Sequence, residues 1–173
     1  MKRLKRFITF LSVLMATATA AAQSAMGPYV VNEIMAGNID EFISPSWNFD
    51  GWMELYNATD VEADLTGLYI SDDVMDLKKW RLPKSLGSIP AHGYARIWFD
   101  DRLIIPENVP FNLDMDGGTI YLSDRDGNLL SVTPYPQAVE RASWARISDG
   151  GSQWAYTSEP TPSACTATSH FAW

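Results

Sequence analysis

The feature that most constrains this chain is a series of short apolar runs bounded by turn-forming residues. Residues 50–73 show the pattern best, because two runs rich in aromatic and branched side chains (52–57 and 68–71) flank a polar, acidic segment. Such runs favour β-strands, and polar segments between them favour exposed connections. We therefore predict two short strands in this stretch.

The same pattern continues along the chain, where no ten-residue stretch after residue 22 has helical periodicity. The other predicted strands cover residues 29–35, 94–99, 119–123, 129–133, 141–147 and 153–157, with shorter pieces at 79–82 and 111–113. About eight strands separated by turns predict an all-β fold, either a sandwich or a barrel.

Two connections have distinctive sequences. The Asp-Gly pair in residues 124–128 favours a tight hairpin, and Pro134 and Pro136 are expected to end the return strand after Thr133. Residues 37–51 form a long loop with Trp47 and Phe49, and its aromatic residues predict that it packs back onto the body.

The N-terminus has the pattern of a cleaved secretory signal peptide, residues 1–22. Four basic residues precede an apolar run from 7 to 20, and Ala20 to Ala22 supply small residues for cleavage before Gln23. An uncleaved anchor and a buried helix are the alternatives. We expect residues 23–28 to be a short leader, one domain over 29–162, a loose tail at 163–173, and an extracellular or periplasmic location.

Charge restricts the partners of the mature chain. The formal charge is −8, and removal of the four basic residues in 1–22, with no acidic ones, makes it −12. Clustered positive charge is needed to bind nucleic acid or anionic lipid, so neither is an expected partner, and no membrane contact is expected after cleavage. Cys165 is the one cysteine, so no intrachain disulfide can form. We expect a monomer.

Short sequence pieces between residues 29 and 162 occur in a specific order. The positions that carry it are Asn32, Glu33, Trp52, Glu54, Tyr56, Asn57, Leu65, Gly67, Trp80, Gly93, Arg146, Asp149 and Gly150, followed by Pro160, Thr161 and Pro162. Together they resemble the lamin tail domain family in its secreted bacterial form. The chain departs from the family at Ala145 and after Pro162, since a glycine is usual at both places.

The resemblance implies an immunoglobulin-like β-sandwich without catalytic residues or a cofactor. Members of the family resemble binding or accessory modules, so the resemblance implies a secreted, non-catalytic module that recognises a protein or a glycan. The alternative is an accessory domain, or a truncated piece, of a larger secreted hydrolase or nuclease.

Two glutamates and two histidines are the candidates for catalytic chemistry. Glu33 and Glu54 could form the carboxylate pair of a glycosidase, but both lie in apolar strands, which favours buried structural groups with hydrogen-bond partners. His92 is expected in a turn, and His170 in the tail, without an adjacent nucleophile. We predict no catalytic residue.

Metal and ligand sites have weaker sequence support. Asp124, Asp126 and Asn128 have the alternating spacing of half a calcium loop, and the alternative is that they serve the turn itself. Zinc is not expected, because two His and one Cys are too few ligands. Of the seven tryptophans, Trp47 lies in the long loop, so it and the neighbouring Phe49 are the predicted binding residues.

Overall fold

The computed structural model describes residues 27–106 and 108–165, in which the chain forms twelve β-strands and one short 3-10 helix (Lys84–Leu86). The strands are β1 (Val30–Met35), β2 (Gly51–Tyr56), β3 (Ala63–Asp64), β4 (Tyr69–Ser71), β5 (Trp80–Arg81), β6 (Ser88–Ile89), β7 (Tyr94–Phe99), β8 (Asn108–Val109), β9 (Gly118–Ser123), β10 (Leu129–Tyr135), β11 (Ser143–Arg146) and β12 (Trp154–Thr157). The predicted signal peptide and His170 lie outside the described residues.

The strands form three sheets. The largest has the order β12-β11-β1-β2-β7-β8, and all its pairs are antiparallel except β7 with β8. The second has the order β10-β9-β4-β5, and β3 pairs with β6 in a small third sheet. This architecture confirms the all-β prediction.

One hydrophobic cluster is shared by the two larger sheets. Val31, Met53 and Phe99 contribute to it from the six-stranded sheet, and Ile70 and Leu122 contribute from the four-stranded sheet. All five are fully buried. Removal of these apolar side chains from water is the main stabilising contribution, and the arrangement is consistent with a β-sandwich.

The opposite face of the six-stranded sheet is also covered. A β-bulge between Val31 and Glu33 reverses the side-chain alternation, so that Val31 faces the shared core while Glu33 faces away from it. Met35, Trp52 and Trp98 form a second buried cluster on that outer face, with Phe42 of the 36–50 loop packed against it. The long loop therefore packs back onto the body, as predicted.

Most predicted strands are present, and two predictions were wrong. The Asp-Gly hairpin joins β9 to β10 as expected, with Gly127 at a φ of 85°. Residues 111–113 are not a strand. Phe111 and Leu113 instead fill the shared core, and the short strand lies just before them, at β8. Pro134 does not end its strand, because β10 is an edge strand and can accommodate a residue without an N–H group.

Candidate functional site: an aromatic cleft beside β7

A buried carboxylate organises the tip of the 36–50 loop. Asp50 accepts hydrogen bonds from the hydroxyl groups of Ser44 and Ser46, the latter at 2.6 Å, and the Arg102 guanidinium pairs with its other oxygen. The Ser44 N–H donates to the carbonyl of Asn48 at 2.8 Å, which closes the turn. The loop tip is therefore held by both side-chain and backbone hydrogen bonds.

Trp47 lies at this tip in an unusual conformation. Its φ is 62°, in the left-handed region that a bulky side chain rarely occupies, and its N–H donates to the Ser44 carbonyl at 3.0 Å. The residue is 86% exposed. The left-handed backbone conformation costs free energy at a residue other than glycine, and the exposed indole leaves apolar surface in water. Neither feature stabilises the fold, and residues in such strained conformations are concentrated at binding sites.

The exposed indole forms one wall of a cleft of about 440 Å³. The cleft lies between the loop tip and strand β7, and its lining residues are Ile43, Ser44, Pro45, Trp47, Arg96 and Trp98. Its volume falls within the range of small-ligand sites, about 300–1,000 Å³. The cleft thus combines apolar walls with one cationic side chain.

Arg96 supplies that charge. Its guanidinium carbon lies 4.7 Å from the centre of the Trp98 ring, a cation–π distance. Desolvation lowers the pKa of Arg96, while nearby Glu54 raises it. Within the part of the chain that the structure describes, the Arg96 guanidinium makes no hydrogen bond and no ion pair, so its donors can serve a ligand.

The two predicted binding residues line different clefts. Phe49 is 43% exposed and borders a second cleft of about 520 Å³, together with Asn38, Arg102 and Met115. Trp47 does not border this second cleft and lines the cleft beside β7. The structure therefore separates Trp47 from Phe49 and brings Trp47 together with Arg96 and Trp98 instead.

Sequence reasoning missed Arg96. A signal was present, because Arg96 and Trp98 alternate along β7 and so share one face of the strand. The sequence did not show that the 36–50 loop, which carries Trp47, lies against that face.

Glu33 and Glu54 are both fully buried next to this region. They are directly opposed in the β1–β2 pair, and Arg96 opposes Glu54 on β7. Glu33 accepts hydrogen bonds from the Ser143 hydroxyl and from the Thr161 N–H, the latter at 3.2 Å. The carboxylate therefore has the backbone and side-chain partners that a structural role requires.

Glu54 is held in a similar way. One oxygen accepts from the Asn32 amide at 3.3 Å, and the other accepts from the backbone N–H of Ser163. Burial raises the pKa of Glu54 to about 8, with the charge of Glu33 adding to the effect, and burial also raises the pKa of Glu33. Ser163, the first residue of the predicted loose tail, is thus attached to the sheet.

A polar network extends from Asn32. Its amide donates to Asp149 at 2.9 Å, its side-chain oxygen accepts from the Gly150 N–H at 3.1 Å, and Tyr94 donates to Asp149 at 2.7 Å. Desolvation and this hydrogen bond raise the pKa of the Tyr94 phenol. The network joins β1, β7 and the turn after β11.

The remaining residues that carry the family resemblance have structural positions. Asn57 donates to the carbonyls of Val61, Ile89 and Pro90 at 2.7–3.1 Å. Arg146 donates to the Val31 carbonyl at 2.8 Å. The others lie in the core or its border, or in turns: Trp52, Tyr56, Leu65, Gly67, Trp80 and Gly93.

The calcium candidates are engaged by their own turn. One oxygen of Asp124 accepts from the N–H groups of Asp126 and Asn128 at 2.8 and 2.9 Å, and the other accepts from the Asn128 amide at 2.8 Å. These hydrogen bonds lower the pKa of Asp124. In residues 27–106 and 108–165 no three His, Cys, Asp or Glu side chains are placed to hold a metal ion. That the protein binds no metal or cofactor, with calcium as the alternative, stays a prediction.

His92 occupies the predicted turn, with a φ of 54°. Its ring nitrogens lie 2.8 Å from Asp60 and 3.2 Å from the Tyr56 hydroxyl.

Over the described ranges, no helix has the length and apolar character needed to cross a membrane.

Comparison with known proteins found no matching family model, no similar curated protein and no similar solved structure.

Proposed function

We propose that this protein is a secreted, non-catalytic binding module of the lamin tail type, with an immunoglobulin-like sandwich that recognises a glycan or protein partner through the Trp47 cleft. The observation that carries the proposal is the conformation of Trp47. Trp47 is 86% exposed, and its backbone is held at positive φ by a turn that a buried carboxylate organises, so its indole is a preformed contact surface. Preformed surfaces lower the entropy lost on binding.

The lamin-tail part of the proposal draws support from the partners of the resembling residues. Asn32, Glu33 and Asp149 belong to connected buried or half-buried hydrogen-bond networks that tie β1 to distant parts of the chain. Each of these side chains has specific hydrogen-bond partners within the fold. A fold that depends on such partners requires these polar residues in this order along the chain.

The non-catalytic part rests on the state of the candidate acids. Glu33 and Glu54 are covered by residues 161–163, and hydrogen-bond donors from the chain occupy their oxygens. A glycosidase pair must face a substrate-sized cleft with its carboxyl groups accessible. The candidate cleft beside β7 offers an arginine and indoles, which suit recognition.

A glycan is the partner class that the cleft suits best. The apolar face of a sugar ring packs on an indole, and polar side chains at the edge of such a cleft orient its hydroxyl groups. Secretion, suggested by residues 1–22, would expose the module to carbohydrate outside the cytoplasm.

A glycan array probed with the wild-type protein, followed by titrations monitored by calorimetry, tests the proposal. We expect at least one bound glycan whose affinity falls about tenfold or more in Trp47→Ala, the loss typical of a central aromatic contact. Phe49→Ala reports on the second cleft, and Met75→Ala, an exposed apolar residue elsewhere, is the matched control. Binding that survives Trp47→Ala but not Phe49→Ala would place the site in the other cleft and contradict the proposal.

A further inference from the structure

We infer that the Trp47 cleft selects a carboxylate-bearing sugar, such as a uronic acid unit, with Arg96 as the partner of the carboxylate. The inference rests on the proposed function and adds the chemical class of the ligand. Its starting observation is a half-buried guanidinium that lines the cleft and makes no hydrogen bond or ion pair within the described residues.

The setting of Arg96 makes an external anion the natural partner. The two oxygens of its register neighbour Glu54 already accept from Asn32 and from the Ser163 N–H. Three other arginines already have partners within the chain: Arg102 pairs with Asp50 and Asp100, Arg141 pairs with Asp40, and Arg146 donates to two carbonyl groups. Arg96 is the arginine that a ligand in this cleft can reach.

The geometry of the guanidinium favours a carboxylate. The guanidinium carbon lies over the Trp98 ring, 4.7 Å from its centre. A guanidinium group can donate two parallel hydrogen bonds to one carboxylate, which a Lys ammonium cannot match. Trp98 is only 6% exposed, so its role is to position Arg96. The exposed Trp47 is then the surface on which the sugar ring stacks.

Charge complementarity is local to the cleft. The formal charge of the whole chain is −8, so the protein as a whole repels densely charged polyanions. The single arginine of the cleft instead suits one carboxylate, on the sugar ring that lies against Trp47. This separates a short uronic acid oligomer from nucleic acid and from heavily sulfated glycans, which carry more charge than one arginine can pair.

The experiment compares an acid with its neutral ester. Oligosaccharides of galacturonate, glucuronate and mannuronate, together with their methyl esters, are titrated into the full mature chain by calorimetry. We expect at least one acid to bind and its ester to bind about tenfold or more weakly, the difference made by one charge-assisted hydrogen-bonded pair.

Variants test whether Arg96 causes the preference for the acid over its ester. Arg96→Gln should weaken the acid about tenfold, leave the ester unchanged and so remove the preference, whereas Arg96→Lys should retain part of it. Trp47→Ala should weaken acid and ester alike. Arg125→Gln, an exposed arginine on the β9–β10 hairpin, is the matched control and should change neither. Thermal melts of each variant show whether the fold survives.

The outcomes separate this inference from the proposed function. Equal binding of acid and ester, both sensitive to Trp47→Ala, overturns the inference and leaves the binding module in place. Binding of neutral glycans alone, or of a peptide with a free C-terminal carboxylate in place of any sugar, also overturns it. No binding of any glycan or peptide through Trp47 overturns both.

Discussion

Glu33 of β1 and Glu54 of β2 lie directly opposite each other on adjacent antiparallel strands, and both are fully buried. Residues 161–163 cover the pair, with the N–H of Thr161 directed to Glu33 and the N–H of Ser163 directed to Glu54. Two neighbouring buried carboxyl groups cannot both ionise without a large desolvation and repulsion cost. The protonation state of this pair therefore affects the hydrogen bonds that attach residues 161–163 to the sheet.

The first prediction concerns pH. Below pH 4.5 Glu54 is protonated in both the folded and the unfolded protein. Between 4.5 and about 8 the folded protein keeps a proton that the unfolded chain has released. Raising the pH through this window lowers the free energy of unfolding, by up to about 1.4 kcal/mol per pH unit for one such proton. The raised pKa of Glu33 acts in the same direction.

The Glu54→Gln variant tests this relation. It cannot ionise, so its free energy of unfolding relative to wild type should rise steadily from pH 5 to pH 8, as measured by urea denaturation. Glu140→Gln, at an exposed position, is the control and should follow the wild-type curve. Parallel curves for Glu54→Gln and wild type would show that Glu54 ionises normally in the folded protein.

The second prediction concerns Ser163, which has a φ of 65° at a place where the family resemblance expects glycine. Ser163→Gly should raise the free energy of unfolding by up to about 1 kcal/mol, because glycine adopts this conformation without a Cβ clash. Ser152→Gly is the matched control. Ser152 is exposed and its φ is not positive, so the same change there should lower stability. Chemical denaturation of both variants decides the matter, and equal losses would contradict the prediction.

The third prediction concerns Asp50. Replacement with Ala removes the acceptor of the Ser44 and Ser46 hydroxyl groups and should lower stability by about 1–3 kcal/mol. Amide hydrogen exchange at Ser44 and Trp47 should become faster, because their turn loses its anchor. Asp40→Asn breaks an exposed ion pair on the same loop, with Arg141, and should have a much smaller effect. Unchanged exchange in Asp50→Ala would mean that the backbone alone holds the turn.

The fourth prediction separates stability from binding at Trp47. Trp47→Ala and Trp47→Gly both remove the indole and should both lose ligand binding. Only glycine accepts the φ of 62° without strain, so Trp47→Gly should be more stable than Trp47→Ala by about 1 kcal/mol. Denaturation curves give the difference. A Gly variant less stable than the Ala variant would show that the turn relaxes when the indole is removed.

Part of this protein could be predicted from local sequence. The alternation in residues 29–35 and 94–99, and the Asp-Gly turn at 124–128, identified strands and a hairpin that the structure contains. The prediction failed at residues 111–113, because a short apolar run that fills a core has the same composition as an edge strand.

The candidate site was less accessible to sequence reasoning. Trp47 was identified because it lies in a long loop whereas most other tryptophans fall in predicted strands, and the structure exposes it. Phe49, the other candidate, borders a different cleft, which residues two positions apart in a loop can do. Arg96 was missed, since its importance depends on a loop about 50 residues earlier in the chain.

The sequence by itself determined that this chain forms strands and where most of them lie, because side-chain alternation and turn chemistry act between near neighbours. Only the tertiary structure decided that Glu33 meets Ser143 and Thr161, which are 110 and 128 residues away, and that Trp47 and Arg96 line one cleft. Backbone hydrogen bonds between strands are chemically alike whichever strands pair. The partners are selected by the packing of the whole core, which no short stretch of sequence contains.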